Sequence, residues 1–337
     1  MRSIIGWDIG GAHVKAARIE NGRVIRVVQT PCPLWPGTER LAAVLGDMRD
    51  ALGEADLHVA TMTGELADIF PSRADGVQAI AAMLARALSP LRLYGGASGL
   101  LPAEAARAHV RDIASANWHA SAALVARHAR DALFVDIGST TTDIVPIVGA
   151  APAARGYTDA ERLGCGELVY TGLTRGFLMA LSPRAPIGGS WTPLACEHFA
   201  TSADVHRVLG TLAEEADQMP TADGGAKTVE ASRVRLARMV GRDAADATEH
   251  EWRGLAAWFA EAQLRLVHDG ALLVLSGTAL ADTAPVIGAG VGRAIAAHLA
   301  ARLDRGYVEF ADLLGESASS EWLCDCAPAV AVALLAA

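Results

Sequence analysis

Asp8 and Asp136 each close an apolar run and open an Asp-Ile-Gly turn. The first copy reads Ile4-Ile5-Gly6-Trp7-Asp8-Ile9-Gly10-Gly11-Ala12-His13-Val14-Lys15, and the second Leu133-Phe134-Val135-Asp136-Ile137-Gly138-Ser139-Thr140-Thr141-Thr142-Asp143-Ile144. The carboxylates suit Mg²⁺, which takes oxygen ligands and keeps several waters. The amides around Gly10, Gly11, Gly138, Ser139 and Thr140 suit phosphate oxygens, because a glycine lets the backbone come close. Hydroxyls of Ser139, Thr140 and Thr141 add donors, and Lys15 brings an ammonium to the far side of the first hairpin. A third glycine cluster, Gly288-Ala289-Gly290-Val291-Gly292, precedes an expected helix whose N-terminus suits an anion or a nucleotide. Any one of these reads equally well as an ordinary turn. The three in this order point to a metal-bound polyphosphate.

The elements that must position these groups alternate along the chain. Residues 3–29 read as a three-strand meander with Asn21-Gly22 as its tight turn. A Pro-rich loop leads to a helix over Thr38–Leu52, where Leu41, Val44, Leu45, Met48 and Leu52 share one face. Leu57–Met62 reads as a buried strand, Val77–Leu88 as a helix and Leu91–Tyr94 as a short strand. Ala103–Ala114 and Trp118–His128 read as helices leading into the second hairpin. Beyond it the pattern predicts a helix over Glu167–Phe177 and a loop over residues 180–196 with Ser190-Trp191-Thr192 at its tip. Helices follow over Ala203–Met219, Ala231–Val240 and Glu249–His268, then a buried strand over Ala271–Leu275. A helix over Arg293–Leu303, a strand over Tyr307–Phe310 and an apolar helix from Ala327 finish the chain. A meander followed by alternating helix and strand, made twice, is an α/β chain with two similar halves.

At 337 residues, 52% of them hydrophobic, the chain is long enough for two domains and apolar enough for a large core. A net charge of −9 without a long basic run argues against nucleic acid as a partner. Five scattered cysteines suggest reduced thiols and a cytoplasmic setting. Cys324-Asp325-Cys326 lacks the second pair that a soft-metal site would need. No apolar run reaches about 18 residues, so no membrane span and no membrane partner are expected.

The arrangement resembles the actin, sugar kinase and heat-shock ATPase superfamily. The twin hairpins correspond to its two phosphate turns, and Val286–Gly292 to its adenosine segment. Within that superfamily the chain looks like the hydantoinase/oxoprolinase branch. It is similar there to a family of tetrahydromethanopterin-linked one-carbon transfer proteins of methylotrophs, whose archaeal relatives are methanofuran-biosynthesis ether synthases. The segments that carry this span the chain. They are Thr61-Met62-Thr63-Gly64-Glu65-Leu66-Ala67-Asp68, Ala116-Asn117-Trp118, Gly166-Glu167-Leu168-Val169-Tyr170-Thr171-Gly172, Glu197-His198-Phe199-Ala200-Thr201-Ser202-Ala203-Asp204 and Cys326-Ala327-Pro328-Ala329-Val330-Ala331.

The resemblance implies two ribonuclease H-like (actin/sugar-kinase-like) domains flanking a central cleft. They would cover residues 1–128 and 129–326, with a C-terminal helix at 327–337 returning to the first. It implies a transferase that joins a furanylmethyl diphosphate to the phenol oxygen of tyrosine or a tyramine derivative and releases diphosphate. Asp8 and Asp136 would hold Mg²⁺. Gly10, Gly11, Lys15, Gly138, Ser139, Thr140, Thr141, Gly288 and Gly290 would hold the diphosphate. Glu65 or Asp68 would take the phenol proton, and Asn117, Trp118, Thr201 and Asp204 would face substrate. Plainer roles stand beside these. Trp118 suits a core, while Glu65, Asn117, Thr201 and Asp204 suit helix caps. His13 reads as an exposed hairpin residue, and Lys227, Arg233, Arg235 and Arg238 as a solvated helix face. ATP-dependent phosphoryl transfer on the same fold and a non-enzymatic actin-like assembly are the competing functions. The fold admits ATP and a homodimer as partners.

Overall fold

Ile4, Ile5, Trp7 and Ile9 lose nearly all contact with water on the two faces of one central strand, which is why the first run folds as it does. In the computed structural model, which describes residues 2–317 and 322–337, β1 (Ser3–Ile9), β2 (His13–Glu20) and β3 (Arg23–Pro31) form the expected antiparallel meander. Asn21 and Gly22 take φ of 50° and 77°, the positive pair that a tight hairpin of this hand needs. After α1 (Glu39–Leu52), β4 (Leu57–Met62) lies parallel to β1. After α2 (Arg73–Ala87), β5 (Leu91–Tyr94) lies parallel to β4, and β6 (Leu100–Pro102) closes the edge antiparallel to β5. The order is β3-β2-β1-β4-β5-β6. The expected apolar face of α1 packs with Val77, Ile80 and Leu84 of α2 in one core with this sheet.

Helices α3 (Val110–Ile113) and α4 (Asn117–His128) lead to the second copy. Here β7 (Ala132–Ile137) and β8 (Thr142–Val148) repeat the hairpin. β9 (Ala151–Pro152) pairs with β8, as does β10 (Leu168–Val169) after α5 (Asp159–Cys165). An insertion carries α6 (Leu178–Leu181), the hairpin β11 (Arg184–Ile187) and β12 (Ser190–Pro193), then α7 (Ser202–Leu209), α8 (Val229–Met239) and α9 (Glu249–Ser276). β13 (Val286–Ala289) returns parallel to β7, and after α10 (Arg293–Arg302) β14 (Tyr307–Glu309) lies parallel to β13. The order β10-β8-β7-β13-β14 repeats that of the first sheet. The final helix α11 (Ala327–Ala336) packs on β1, β2, β4 and α4. α4 and α11 share a core with Ile4 and Val59 of the first sheet and with Phe134 and Val145 of the second. Gly6 permits this: a Cβ there would strike the Ala329 carbonyl and the Ala333 side chain.

Five expected elements take another form. Ala271–Leu275 is the end of α9 and not a strand. A capping box at Thr248 and Glu251 starts that helix, Val267, Ala271 and Val274 bury one side of it, and Leu272 and Leu273 face water. Glu167–Phe177 is not a helix. Its amides turn outward to the second hairpin, with Leu173 donating to the Gly138 carbonyl and Thr174 and Arg175 to that of Ser139. Residues 180–196 hold β11 and β12, joined by Gly188 and Gly189 at φ of 58° and 73°. The helix expected over Ala203–Met219 stops at Gly210, a left-handed C-cap. Ala103–Ala114 divides into a 3-10 turn over Ala103–Arg107 and α3.

Candidate active site

The two hairpins share one hydrogen-bond pattern. The Gly10 amide donates to the His13 carbonyl and the Gly138 amide to the Thr141 carbonyl, both at 2.9 Å. Asp8 pairs in register with Lys15, and Asp136 with Asp143. Both turns open on one cavity of about 440 Å³. Gly10, Gly11, Gly138, Ser139, Thr140 and Thr141 line it, together with Asp8, Lys15 and Asp136. The Gly10 and Gly138 amides close their own turns. Among the described residues those of Gly11, Ser139 and Thr140 donate to no backbone carbonyl. No protein atom stands near where a Gly11 Cβ would be, so its missing side chain leaves ligand space.

Asp8 and Asp136 are 5% and 8% exposed. Burial pushes the Asp8 carboxyl up to about 6, against the pull of Lys15. Burial pushes that of Asp136 up to about 7, with Asp143 adding repulsion. Burial alone would depress the Lys15 ammonium. The Cys326 thiol and the carboxylates of Asp8, Asp136 and Asp325 together hold it above the usual lysine value. Lys15 Nζ donates to the Asp325 carbonyl at 2.9 Å. Among the described residues Asp8 Oδ1 is buried without a partner. A desolvated carboxylate oxygen with nothing bound to it, beside a second carboxylate, fits a hard cation such as Mg²⁺. Asp8 and Asp136 are the residues that would hold one. Among the described residues no three His, Cys, Asp or Glu side chains gather as a metal cluster.

Other expected residues divide between the cavity and the scaffold. Asp68, Asn117 and Trp118 line the cavity. Trp118 is also buried in the shared core, so its two readings hold together. The Arg162 guanidinium lies 4.1 Å from the Trp118 ring centroid and donates to Asp143 Oδ1 at 2.7 Å. Glu65 is buried one step behind the cavity wall, where it accepts from the Ser115 hydroxyl at 2.7 Å. Ser115 itself lines the cavity, at a left-handed φ of 51°. Burial pushes the Glu65 carboxyl up to about 7, and the Ser115 bond offsets only part of that.

Thr201 and Asp204 form the capping box of α7, away from the cavity lining. Asp204 Oδ1 accepts from Ser232 at 2.8 Å and from Arg235 Nε at 2.7 Å. Arg235 is therefore buried in an ion pair, and the expected solvated face of α8 is corrected there. Gly288 and Gly290 also lie outside the lining. Tyr307 covers Gly288, and the Gly290 amide donates to the Cys324 carbonyl at 2.8 Å. The Gly292 amide donates to the Ile137 carbonyl at 2.8 Å.

His13, Ser115, Asp143, Arg162 and Arg175 join the cavity lining without having been singled out as site residues. Asp143 alone had a sequence signal, since it follows Asp136 at the offset by which Lys15 follows Asp8. His13 is buried and not exposed. Burial, with Lys15 and Arg175 near it, lowers its pKa to about 4, and its Nε2 has no partner.

The sequence model of the hydantoinase/oxoprolinase family matches residues 56–328. The chain belongs to the hydantoinase/oxoprolinase family. This family member is 34% identical over 242 residues to the (4-{4-[2-(gamma-L-glutamylamino)ethyl]phenoxymethyl}furan-2-yl)methanamine synthase of Methanocaldococcus jannaschii, across 71% of this chain and 72% of that one. It is 36% identical over 114 residues to the synthase of the same name from Methanococcus vannielii, across 34% of this chain and 51% of that one. Its backbone is similar to a ROK family glucokinase from Streptomyces griseus solved with glucose and AMPPNP. The TM-score is 0.50 at 14% identity, over 98% of both chains. That likeness concerns the fold, which is the actin/sugar-kinase type. Among the described residues no helix is long and apolar enough to cross a membrane.

Proposed function

We propose that this protein is a transferase that builds an aryl–furanylmethyl ether in methanofuran or methylofuran biosynthesis. The phenol oxygen of tyrosine or a (glutamyl)tyramine attacks the methylene carbon of an aminomethylfuran-methyl diphosphate. The new bond is aryl O–CH₂. The bond broken is CH₂–O to the diphosphate, which leaves with its electron pair, and the phenol proton passes to the protein. The relatives' product name contains that phenoxymethyl–furan linkage.

The observation that carries the reading is a single cavity. It joins two phosphate-type turns, two buried carboxylates, an ammonium and a proton-accepting cluster. Mg²⁺ bound by Asp8 and Asp136 would neutralise charge on the leaving diphosphate. Lys15 and the Gly11, Ser139 and Thr140 amides would hold its oxygens. Donors fixed in advance where charge develops are worth roughly 3 kcal/mol each. Trp118 holds the Arg162 guanidinium against its ring, and both line the cavity where the substrate would lie. Ser115 lines the cavity and its hydroxyl donates to Glu65, so a phenol proton could pass through Ser115 to Glu65. A base whose pKa lies near 7 suits that task.

Tyr307 over Gly288, and the engaged amides of Gly290 and Gly292, support diphosphate over an adenine nucleotide as the occupant. The test supplies protein and Mg²⁺ with the furan diphosphate and tyrosine or glutamyl-tyramine, and measures diphosphate and ether together. Equal release of both supports the reading. No ether, with ATP turnover on another acceptor, refutes it.

A further inference from the structure

We propose that Arg175 and His13 form a second anion-binding end of the cavity, which takes the phosphate of a diphosphate group farther from the Asp8–Asp136 pair. The inference rests on the diphosphate reading above and adds residues that neither the sequence motifs nor the relatives assign.

Arg175 is held in place by its backbone. Its amide and that of Thr174 both donate to the Ser139 carbonyl, at 2.8 and 3.1 Å. A Cβ on Gly172 would stand 2.5 Å from the Thr140 nitrogen, so the segment lies directly on the second turn. From there Arg175 Nη1 donates to Thr140 Oγ1 at 3.2 Å, and the guanidinium lies 5.2 Å from the Trp35 ring across the cavity. The half-buried side chain forms no ion pair among the described residues, and burial lowers its pKa. The fully buried arginines differ: Arg162 is paired with Asp143, and Arg235 with Asp204. A partly desolvated guanidinium without a counter-charge, in a chain of net charge −9, calls for an anion from outside.

His13 is the independent observation. It is 6% exposed, lines the same cavity, and its buried Nε2 bonds to nothing among the described residues. Lys15 and Arg175 are both near enough to act on its charge, and all three line the cavity. Lys15, His13 and Arg175 thus bring nitrogen groups to one cavity, with Lys15 acting on the carboxylate pair and Arg175 bonded to Thr140. The cavity of about 440 Å³ would take both phosphates of a diphosphate, and the fork of Arg175 matches two oxygens of the second.

The test is calorimetric titration of magnesium pyrophosphate and of inorganic phosphate into wild type, Arg175→Gln, Arg175→Lys and His13→Ala. Loss of the charge-assisted bonds in Arg175→Gln should weaken pyrophosphate binding about 10- to 100-fold. Inorganic phosphate, which fits the Lys15 end alone, should change by less than about threefold. His13→Ala should weaken pyrophosphate about 10-fold. Arg175→Lys keeps the charge and loses the fork, so it should fall between; it carries the test if the glutamine variant melts early. Pyrophosphate binding that is intact in wild type and unchanged in the Arg175 variants overturns the inference and leaves the diphosphate reading standing. In steady-state kinetics on the same Arg175 variants, a loss confined to KM for the phenolic acceptor also overturns it, by giving Arg175 to an acceptor carboxylate. A wild type that binds no pyrophosphate refutes the reading itself, and the inference with it.

Discussion

Asp136→Asn should stabilise the metal-free protein in alkaline solution while removing its activity. The Asp136 carboxyl rises from 3.8 to about 7 on folding, chiefly through burial and then through repulsion from Asp143. A pKa raised by folding contributes stability that is fully present below the unfolded value of 3.8 and is lost as pH climbs through about 7. A shift of about three units corresponds to a ceiling of roughly 4 kcal/mol at about 1.4 kcal/mol per unit. Asparagine keeps the shape and cannot ionise, so it escapes that loss. Between about pH 5 and pH 8 some two of the three units open, and the stability gap between variant and wild type should widen by roughly 3 kcal/mol. Denaturant unfolding with a chelator present, at several pH values across that range, measures the gap directly. In parallel samples without chelator, magnesium pyrophosphate should stabilise wild type more than the variant. A gap that stays flat with pH, or a variant less stable than wild type above pH 7, would show that the buried Asp136 charge is already compensated by protein groups. The case for a cation between Asp8 and Asp136 would then fail.

Glu65→Gln should lower kcat by about 10² or more, because a positioned base typically supplies that much. The wild-type rate should rise with pH as Glu65 ionises near 7, and the variant should lack that limb; an unchanged pH–rate profile would remove Glu65 from the proton path. Gly6→Ala should destabilise the fold by about 1–3 kcal/mol, since its Cβ would meet the Ala329 carbonyl and force α11 off β1. Unchanged unfolding of that variant would mean that α11 does not depend on this close approach.

The repeated hairpins were legible because their signals are local. Apolar runs, a glycine turn and one carboxylate at a fixed place in each copy need no tertiary context, and Asp8, Lys15 and Asp136 do line one cavity. What the chain hid depends on contacts distant in sequence. The stretch after Glu167 looked helical, yet its amides bond to the second turn, and this fixes Arg175 in the cavity. Ala271–Leu275 could be read as strand or helix from its composition, and continuity with the capped start of α9 decided it. His13 showed no partner in the sequence, because what surrounds it comes from both hairpins and from the segment after β10. Asp204 and Arg235, 31 residues apart, are joined only once α7 packs against α8.

The two hairpins are alike in backbone and unlike in charge, and that difference gives the cavity its direction. Opposite Asp8 the paired strand carries Lys15, whereas opposite Asp136 it carries Asp143. A literal copy would have put a second ammonium beside Asp136 and neutralised it. Asp143 is instead tied to Arg162, and it repels Asp136. Asp136 is thereby left short of positive charge, and among the described residues Asp8 Oδ1 is unpartnered despite Lys15. The cations that the second copy lacks at its strand appear off it, at Arg162 over Trp118 and at Arg175 on the turn. One end of the cavity is therefore short of a cation and the other short of an anion. On the proposed function, a magnesium-bound diphosphate would supply both at once, whereas a free phosphate or a neutral sugar hydroxyl would leave one end unsatisfied.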